Sequence, residues 1–410
     1  MRSRLLTGDD GAGINTGIAT GIDTSAAFCL FCQCPDLRIG RQQHAAHRSG
    51  RRVTLPNQGP EGDKAMKKRK TLADVAAAAG VSKMTASRAL RGDKDVSKAN
   101  VDKVKQAARE IGYYGNHLAA SLSSKRTDLI GVVVPSLSNT VFPQVMSGVT
   151  DALKGTALQP VFGVTDYDPE AEYTTIRNML SWRPAGLIVT GLDQPDESRR
   201  LLADAGIPIV QIMDCDGDPV DACVGFSQSG AGHDMAAALL AAGRRRFGYV
   251  GRNLDKDLRA AKRKKGFLDA LRNQGLDFID AIDGAHREGD EATLPAIACG
   301  RRKTAELLAR QPDLDCIHFS NDDLAFGGLC HCIAAGIDVP GEVALAGFNG
   351  LGLLEGFPGK IATSHTARRA IGETAARVIL ETVESGETDS GKIHILAPSI
   401  SLGDLAVTAK

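Results

Sequence analysis

Two groups of side chains in this sequence could do binding chemistry. The first lies between residues 66 and 126, where 14 lysines and arginines stand against 5 aspartates and glutamates, an excess of nine positive charges. The whole chain has 49 of each sign, and residues 1–65 carry an excess of two, so residues 127–410 are acidic by eleven. A basic segment attached to an acidic body suits the phosphates of a polyanion. The second group consists of polar residues that each follow a short apolar run. Ser136 and Asn139 lie in the loop after LIGVVVP, Thr190 follows GLIV, Asp214 follows IVQIM, Asn321 and Asp322 follow CIHFS, and Asn349 follows VALAGF. A cluster of cations, Lys256, Lys262, Arg263, Lys264 and Lys265, lies between the fourth and fifth of these positions. Facing a cleft, such a group suits a carboxylate or phosphate, because a charge-assisted bond offsets desolvation. Facing solvent, Lys264 and its neighbours would be an ordinary helix surface. Phe142 offers either an apolar wall to a ligand or a core side chain.

These groups come without a catalytic constellation. The chain contains no nucleophile elbow, no P-loop and no metalloprotease helix motif. Asp322 and Asp323 are sequence neighbours whose carboxylates point apart on regular backbone. The glycines of VGRN and AGFNGLG lack dinucleotide spacing. Cys330, His331 and Cys332 fall on one expected helix, where consecutive side chains fan out and cannot share a metal. Cys29, Cys32, His44 and His47 are spaced C-x2-C-x11-H-x2-H. That histidine spacing is short for a zinc finger, and the apolar residues between the pairs are missing. The expectation is therefore no enzyme activity, no metal and no cofactor.

The elements that position these residues are legible from periodicity. Leu72, Val75, Ala76 and Ala79 recur at helical spacing behind Thr71, an expected N-cap. Gly80 and Val81 make a tight turn, and Ser82 caps a second helix running to about Leu90. Val101, Val104, Ala108 and Ile111 form the stripe of a third helix, with Ser97 as its cap and Gly112 as its stop. Two helices joined by a glycine turn and closed by a third make a helix-turn-helix. From Asp128 the pattern changes to apolar runs that read as buried parallel strands: LIGVVVP, PVFGV, AGLIVT, IPIVQIM, FGYVG, CIHFSN and VALAGF. Helical stretches separate them, among them Phe142 to Ala152, Glu170 to Ser181, Asp234 to Ala242 and Lys262 to Asn273. This rhythm over some 280 residues exceeds one sheet and predicts an α/β fold of two doubly wound lobes.

From about Met66 onward the chain resembles the LacI/GalR family of bacterial repressors. The resemblance is carried by TLADVAAAAGVSKMTASRALRG followed by VSKANVDKVKQAAREIGYYGNHLAASL. Within the family it is similar to the gluconate-type repressors in VSKMTASRALR, VPSLSNTVF, MLSWRPAGLIVTG, IVQIMD, VGF and SNDDLAFG. The resemblance implies a DNA-binding head at 66–113, a hinge helix and linker at 114–127, and an effector-binding and dimerisation core at 128–410. That core would have the periplasmic-binding-protein fold, with three crossings between lobes and the ligand at the carboxyl ends of the strands.

It also implies roles for particular residues. Ser82 to Arg88 begin the recognition helix, and Lys83 and Met84 occupy the two base-choosing positions. Lys83 can donate to guanine O6 or N7, while Met84 offers apolar contact to a thymine methyl. Thr85, Ser87 and Arg88 would hold phosphates or a neighbouring base, with Arg91 a further contact and Thr71 at the edge of the DNA-facing set. Asn116 to Ser123 would be the hinge helix, with Leu122 the wedge that opens a base step. For the effector the resemblance implies Arg263 and Asp322 as the grip, and the strand-end residues Ser136, Asn139, Thr190, Asp214 and Asn349, with Phe142 as an apolar wall, complete the expected set.

The expected partners follow from this assignment: near-palindromic double-stranded operator DNA, a second copy of the chain, and a small sugar-like effector, with gluconate or a related sugar acid leading. The chain ends soon after IHILAPSISL without a leucine-rich tail, which favours a dimer over a tetramer. Residues 1–65 lack periodicity and are read as a disordered extension, with Met66 as the expected initiator. AAFCLFC has neither a basic n-region nor a cleavage site, and no stretch is long enough to span a membrane. Nine cysteines without an even framework fit a reducing cytoplasm, where DNA binding would place the protein on the nucleoid. A periplasmic sugar-binding protein would share the core without the head, and a corepressed regulator would share the whole architecture with an induced one.

Overall fold

The computed structural model describes residues 70–93, 95–114, 126–138, 140–283, 294–386 and 391–405. Expected roles for Asn116, Leu122 and Asn139, and the cysteines and histidines of residues 1–65, lie outside the described residues.

The head contains α1 (Leu72–Ala79), α2 (Lys83–Arg91) and α3 (Lys98–Ile111). Each begins at the expected cap. Thr71 and Asp74 form a reciprocal capping box, in which the Thr71 amide donates to Asp74 Oδ2 at 2.7 Å. Ser82 Oγ accepts from the Thr85 amide at 3.1 Å, and Ser97 Oγ from the Asn100 amide at 3.4 Å. Gly80 ends α1 at φ +64°, a left-handed conformation that a side chain would strain, and this makes the turn into α2. Val75, Ala76, Ala86, Ala89, Val104, Ala107 and Ala108 fill the space between the helices. Five alanines in that core let the helices approach closely, and tertiary packing stabilises helices too short to persist alone.

Two six-stranded sheets form the core. The first contains β1 (Leu129–Val134), β2 (Gln159–Val164), β3 (Gly186–Thr190), β4 (Ile209–Ile212), β5 (Ala222–Gly225) and β11 (Ile393–Ile395), in the order β11-β5-β4-β3-β1-β2, all parallel. The second contains β6 (Phe247–Arg252), β7 (Phe278–Asp283), β8 (Cys316–Phe319), β9 (Ala344–Ala346), β10 (Ile361–His365) and β12 (Ser399–Ser401), in the order β12-β10-β9-β8-β6-β7. Among the described residues only the β10–β12 pairing is antiparallel. The chain crosses between sheets after β5, after β10 and between β11 and β12, the three crossings expected.

The helices between strands are α4 (Val141–Ala152), α5 (Pro169–Ser181), α6 (Asp196–Ala203), α7 (Gln228–Ala241), α8 (Leu258–Arg272), α9 (Ala296–Arg310), α10 (Asp322–Ala335) and α11 (Arg368–Ser385). Two begin earlier than periodicity suggested. Ser227 caps α7 by accepting from the Gly230 amide at 2.8 Å, so the helix starts at Gln228, six residues before Asp234. Asp257 caps α8 by accepting from the Ala260 amide at 3.3 Å, which adds Leu258 to Ala261 to the helix of Arg263.

Three helix pairs share one packing device. In α7 against α8, a Cβ on Gly232 would collide with the Arg263 carbonyl, and one on Gly266 with the Ser229 carbonyl. Gly148 and Gly372 serve α4 against α11, and Gly300 and Gly327 serve α9 against α10, in the same reciprocal way. Backbone meets backbone at these crossings, which leaves little freedom to slide. The α7–α8 crossing thereby fixes Arg263 relative to the sheet.

Candidate DNA-binding surface and ligand cleft

On α2 the buried face is Ala86 and Ala89, which leaves Lys83, Met84 and Arg88 on the exposed side. Met84 is 64% exposed, unusual for a large apolar side chain and consistent with a surface made to be covered. Among the described residues Lys83 Nζ makes no hydrogen bond or ion pair. Arg88 Nη1 lies 2.8 Å from Asp95 Oδ2, and Arg91 Nη2 lies 3.0 Å from Asp93 Oδ2. These exposed pairs are weak, and a phosphate can replace the carboxylate. Ser82 and Thr85 share a hydroxyl–hydroxyl bond of 2.9 Å, and Ser87 is half-buried on the same helix. Thr71 is occupied by its capping box.

Between the lobes lies a cavity of about 280 Å³ at the carboxyl ends of β1, β2 and β3, closed from the other lobe by the start of α8. Thr165, Tyr167, Glu172, Thr190 and Gln194 line one side, and Lys256, Leu258 and Arg259 the other. Arg259 is the central cation. Its guanidinium carbon sits 5.7 Å from the Phe142 ring centre and 5.9 Å from that of Tyr167, and Nη2 is 3.5 Å from Asp257 Oδ1. Burial works against its charge, but Asp257, Tyr167, Asp214 and Glu172 outweigh that and raise its proton affinity. Burial pushes the Tyr167 hydroxyl up to about 12 and raises the Glu172 carboxyl, which Gln194 and Arg259 pull the other way. The cavity thus presents a fixed cation, a carboxyl biased toward its protonated form, and several hydroxyl and amide groups.

A second cation bridges the lobes. Lys262 Nζ lies 2.7 Å from both Asp193 Oδ2 and Asp214 Oδ2, and donates to the Asp216 carbonyl at 3.3 Å. Burial opposes the charge of Lys262, and the two aspartates restore it. Burial likewise raises the fully buried Asp214 carboxyl, against the pull of Lys262 and the Asp216 amide.

The structure separates the remaining expected effector residues. Thr190 lines the cavity and donates to the Val133 carbonyl at 3.0 Å. Phe142 belongs to the core of its lobe and turns a ring toward Arg259. Ser136 Oγ is bonded to Ser138 Oγ at 2.7 Å. Arg263 is buried, donating to Gln228 Oε1 at 2.5 Å and to the Ser320 carbonyl at 3.1 Å, with its guanidinium carbon 4.0 Å from the Phe348 ring centre. The Asp322 carboxylate accepts from the Leu351 amide and Thr363 Oγ1, both at 2.7 Å. Asn349 sits at φ +111°, and its carbonyl accepts from Arg368 and Thr366.

Sequence reasoning passed over Arg259, Tyr167, Glu172 and Gln194. One signal was available for Arg259: it precedes Arg263 by four residues and so shares its helix face. Tyr167 and Glu172 gave no such signal, because strand crossover geometry brings them to the cavity.

A helix-turn-helix head joined to a two-lobed core with an interlobe cavity is the build of a DNA-binding transcriptional regulator. The chain belongs to the LacI family. Residues 71–116 match the family described as bacterial regulatory proteins, lacI family. Residues 127–401 match periplasmic binding proteins and sugar binding domain of LacI family. The HTH-type transcriptional regulator GntR of Pseudomonas aeruginosa is 38% identical over 322 residues, covering 78% of this chain and 91% of that protein. The regulator of the same name from Escherichia coli K12 is 33% identical over 340 residues, covering 82% and 98%. A solved LacI-family regulator from Silicibacter pomeroyi is 46% identical, with a TM-score of 0.76 and coverage of 82% and 98%. These relatives are regulators, and this chain is a regulator rather than an enzyme.

Proposed function

We propose that the chain is a homodimeric repressor whose grip on a near-palindromic operator is set by a sugar acid, gluconate or a close relative, bound between the lobes. The observation that carries this reading is Arg259, a largely buried guanidinium in a cavity where hydroxyl, amide and carboxyl groups stand among apolar residues such as Val133, Val134 and Leu258. A cation suits the carboxylate of an aldonate, and Thr165, Thr190, Gln194 and Glu172 suit its hydroxyls. The relatives named GntR support the same effector class. In this reading Arg263 and Asp322 position the cleft walls, Asp214 holds the lobes through Lys262, and Thr190 and Phe142 border the ligand. Effector binding changes lobe closure, and the linkers to the two heads transmit the change. A two-fold dimer presents two identical α2 helices to successive major grooves. Its work on DNA places the protein in the cytoplasm.

The test is operator binding by fluorescence anisotropy, titrated with gluconate and related sugar acids. Gluconate should shift operator affinity, and Arg259→Ala should raise the gluconate concentration required at least tenfold while leaving operator affinity without effector unchanged. Operator binding that ignores every sugar acid would remove the effector assignment.

A further inference from the structure

Beside the interlobe bridge, Cys215 and Cys223 hold their sulfur atoms 3.2 Å apart. Both are free thiols; Cys223 is buried within β5, and Cys215 is half-buried just beyond β4. Neighbouring backbone fixes their approach. Ile212 pairs with Val224 in the sheet, and the Cys215 amide donates to the Phe226 carbonyl at 3.0 Å. Cys223 Sγ also donates to the Asp214 carbonyl at 2.8 Å.

We propose that Cys215 and Cys223 are a redox modification site, forming a reversible disulfide under peroxide that alters the effector cleft. The sulfurs need to close by about 1 Å to reach the bonded distance of about 2.05 Å. Cys215 is the accessible partner and attacks first. Its thiolate takes one peroxide oxygen, the O–O bond breaks, and the hydroxide released takes up a proton. Cys215 is then a sulfenic acid. The Cys223 sulfur attacks the sulfenic sulfur, the S–S bond forms, the S–O bond breaks, and the departing hydroxyl leaves as water with the Cys223 proton. Two thiols and one peroxide give one disulfide and two waters; the sulfurs together lose two electrons and the peroxide gains them. A thiol reductant reverses the reaction through a mixed disulfide. The contact with Cys215, together with burial, raises the Cys223 thiol, which leaves the first attack on peroxide to Cys215.

The consequence for the cleft follows from what the pair touches. The disulfide removes the Cys223 bond to the Asp214 carbonyl and draws in Cys215, the residue next to Asp214. The Asp214 carboxylate is one of the two that hold Lys262 across the lobes. Oxidation therefore bears on lobe closure and, on the reading of the cleft as a sugar-acid site, on effector affinity.

The reduced full-length chain is treated with a slight excess of hydrogen peroxide, its remaining thiols are alkylated, and it is digested without reductant for peptide mapping. The expected product is a Cys215–Cys223 linked peptide that dithiothreitol releases and that Cys215→Ser and Cys223→Ser lack. Progress of Cys215 to sulfinic acid, or linkage mainly to other cysteines, overturns the proposal. Gluconate affinity measured by calorimetry should change at least threefold on oxidation of the wild type and stay constant in Cys215→Ser. Constant affinity in protein that carries the linkage overturns the coupling to the cleft. Failure to bind any sugar acid in either redox state overturns the effector reading, while the linked peptide would still establish the modification.

Discussion

Replacing Asp322 with asparagine separates a ligand-gripping carboxylate from one that organises the cleft wall. The side chain is fully buried and accepts from the Leu351 amide and Thr363 Oγ1, each at 2.7 Å. Burial nevertheless raises its pKa from 3.8 to about 6, against the pull of these donors. A carboxyl whose folded pKa lies above its unfolded value keeps its proton longer when folded. Stability is therefore lost as pH rises from near 4 to above 6, and the ionised form costs about 3 kcal/mol at neutral pH. Asparagine carries no such cost, but its single oxygen leaves one donor poorly met, a loss of about 1–3 kcal/mol. The two effects nearly cancel at neutral pH and diverge in acid. Urea unfolding followed by circular dichroism, repeated across pH, should show Asp322→Asn gaining on the wild type by about 2.4 kcal/mol from about pH 4 to neutral, a little over half of it above about pH 5. Parallel curves for the two proteins would refute the reasoning. So would a wild type that gains on the variant as pH rises.

Three further outcomes are expected. Gly232→Ala puts a Cβ against the Arg263 carbonyl, with the Phe267 amide nitrogen 3.0 Å away; the helices must separate, at a cost of about 1–3 kcal/mol. An unchanged unfolding midpoint would show that this crossing has slack. On DNA, Arg88→Ala should weaken all sequences alike and flatten the salt dependence by about one counterion. Lys83→Ala should instead change base preference at one position by about 1–3 kcal/mol. Uniform losses in both variants, measured on a panel of operator sequences, would erase the distinction between them.

Much of the architecture was legible because it depends on local rules. Thr71, Ser82 and Ser97 cap helices through bonds that span three residues, and Gly80 and Gly112 end them through backbone conformations set within one residue. Buried strands such as LIGVVV announce themselves by composition, since both faces of a parallel sheet must be apolar. The starts of α7 and α8 were less legible, because Gly230 and Gly232 weaken the helical pattern at the point where α7 must pass close to α8. Polar residues at strand ends were found from sequence, yet what each of them bonds to was not. Arg263 and Asp322 looked free for a ligand in sequence, but their partners Gln228, Ser320, Leu351 and Thr363 arrive from other elements.

The sequence by itself determined the helix-turn-helix, its basic surface, the two-lobed α/β plan and the family, all of which rest on contacts close in the chain or on long motifs. Only the tertiary structure decided that Arg259 rather than Arg263 faces the cavity, and that Lys262 bridges Asp193 to Asp214. It alone brought Cys215 against Cys223. The physical reason is that the cleft is assembled from loops at the ends of strands far apart in the chain. Which of two similar cations lines the cavity depends on the carboxylates and carbonyls that folding brings beside each.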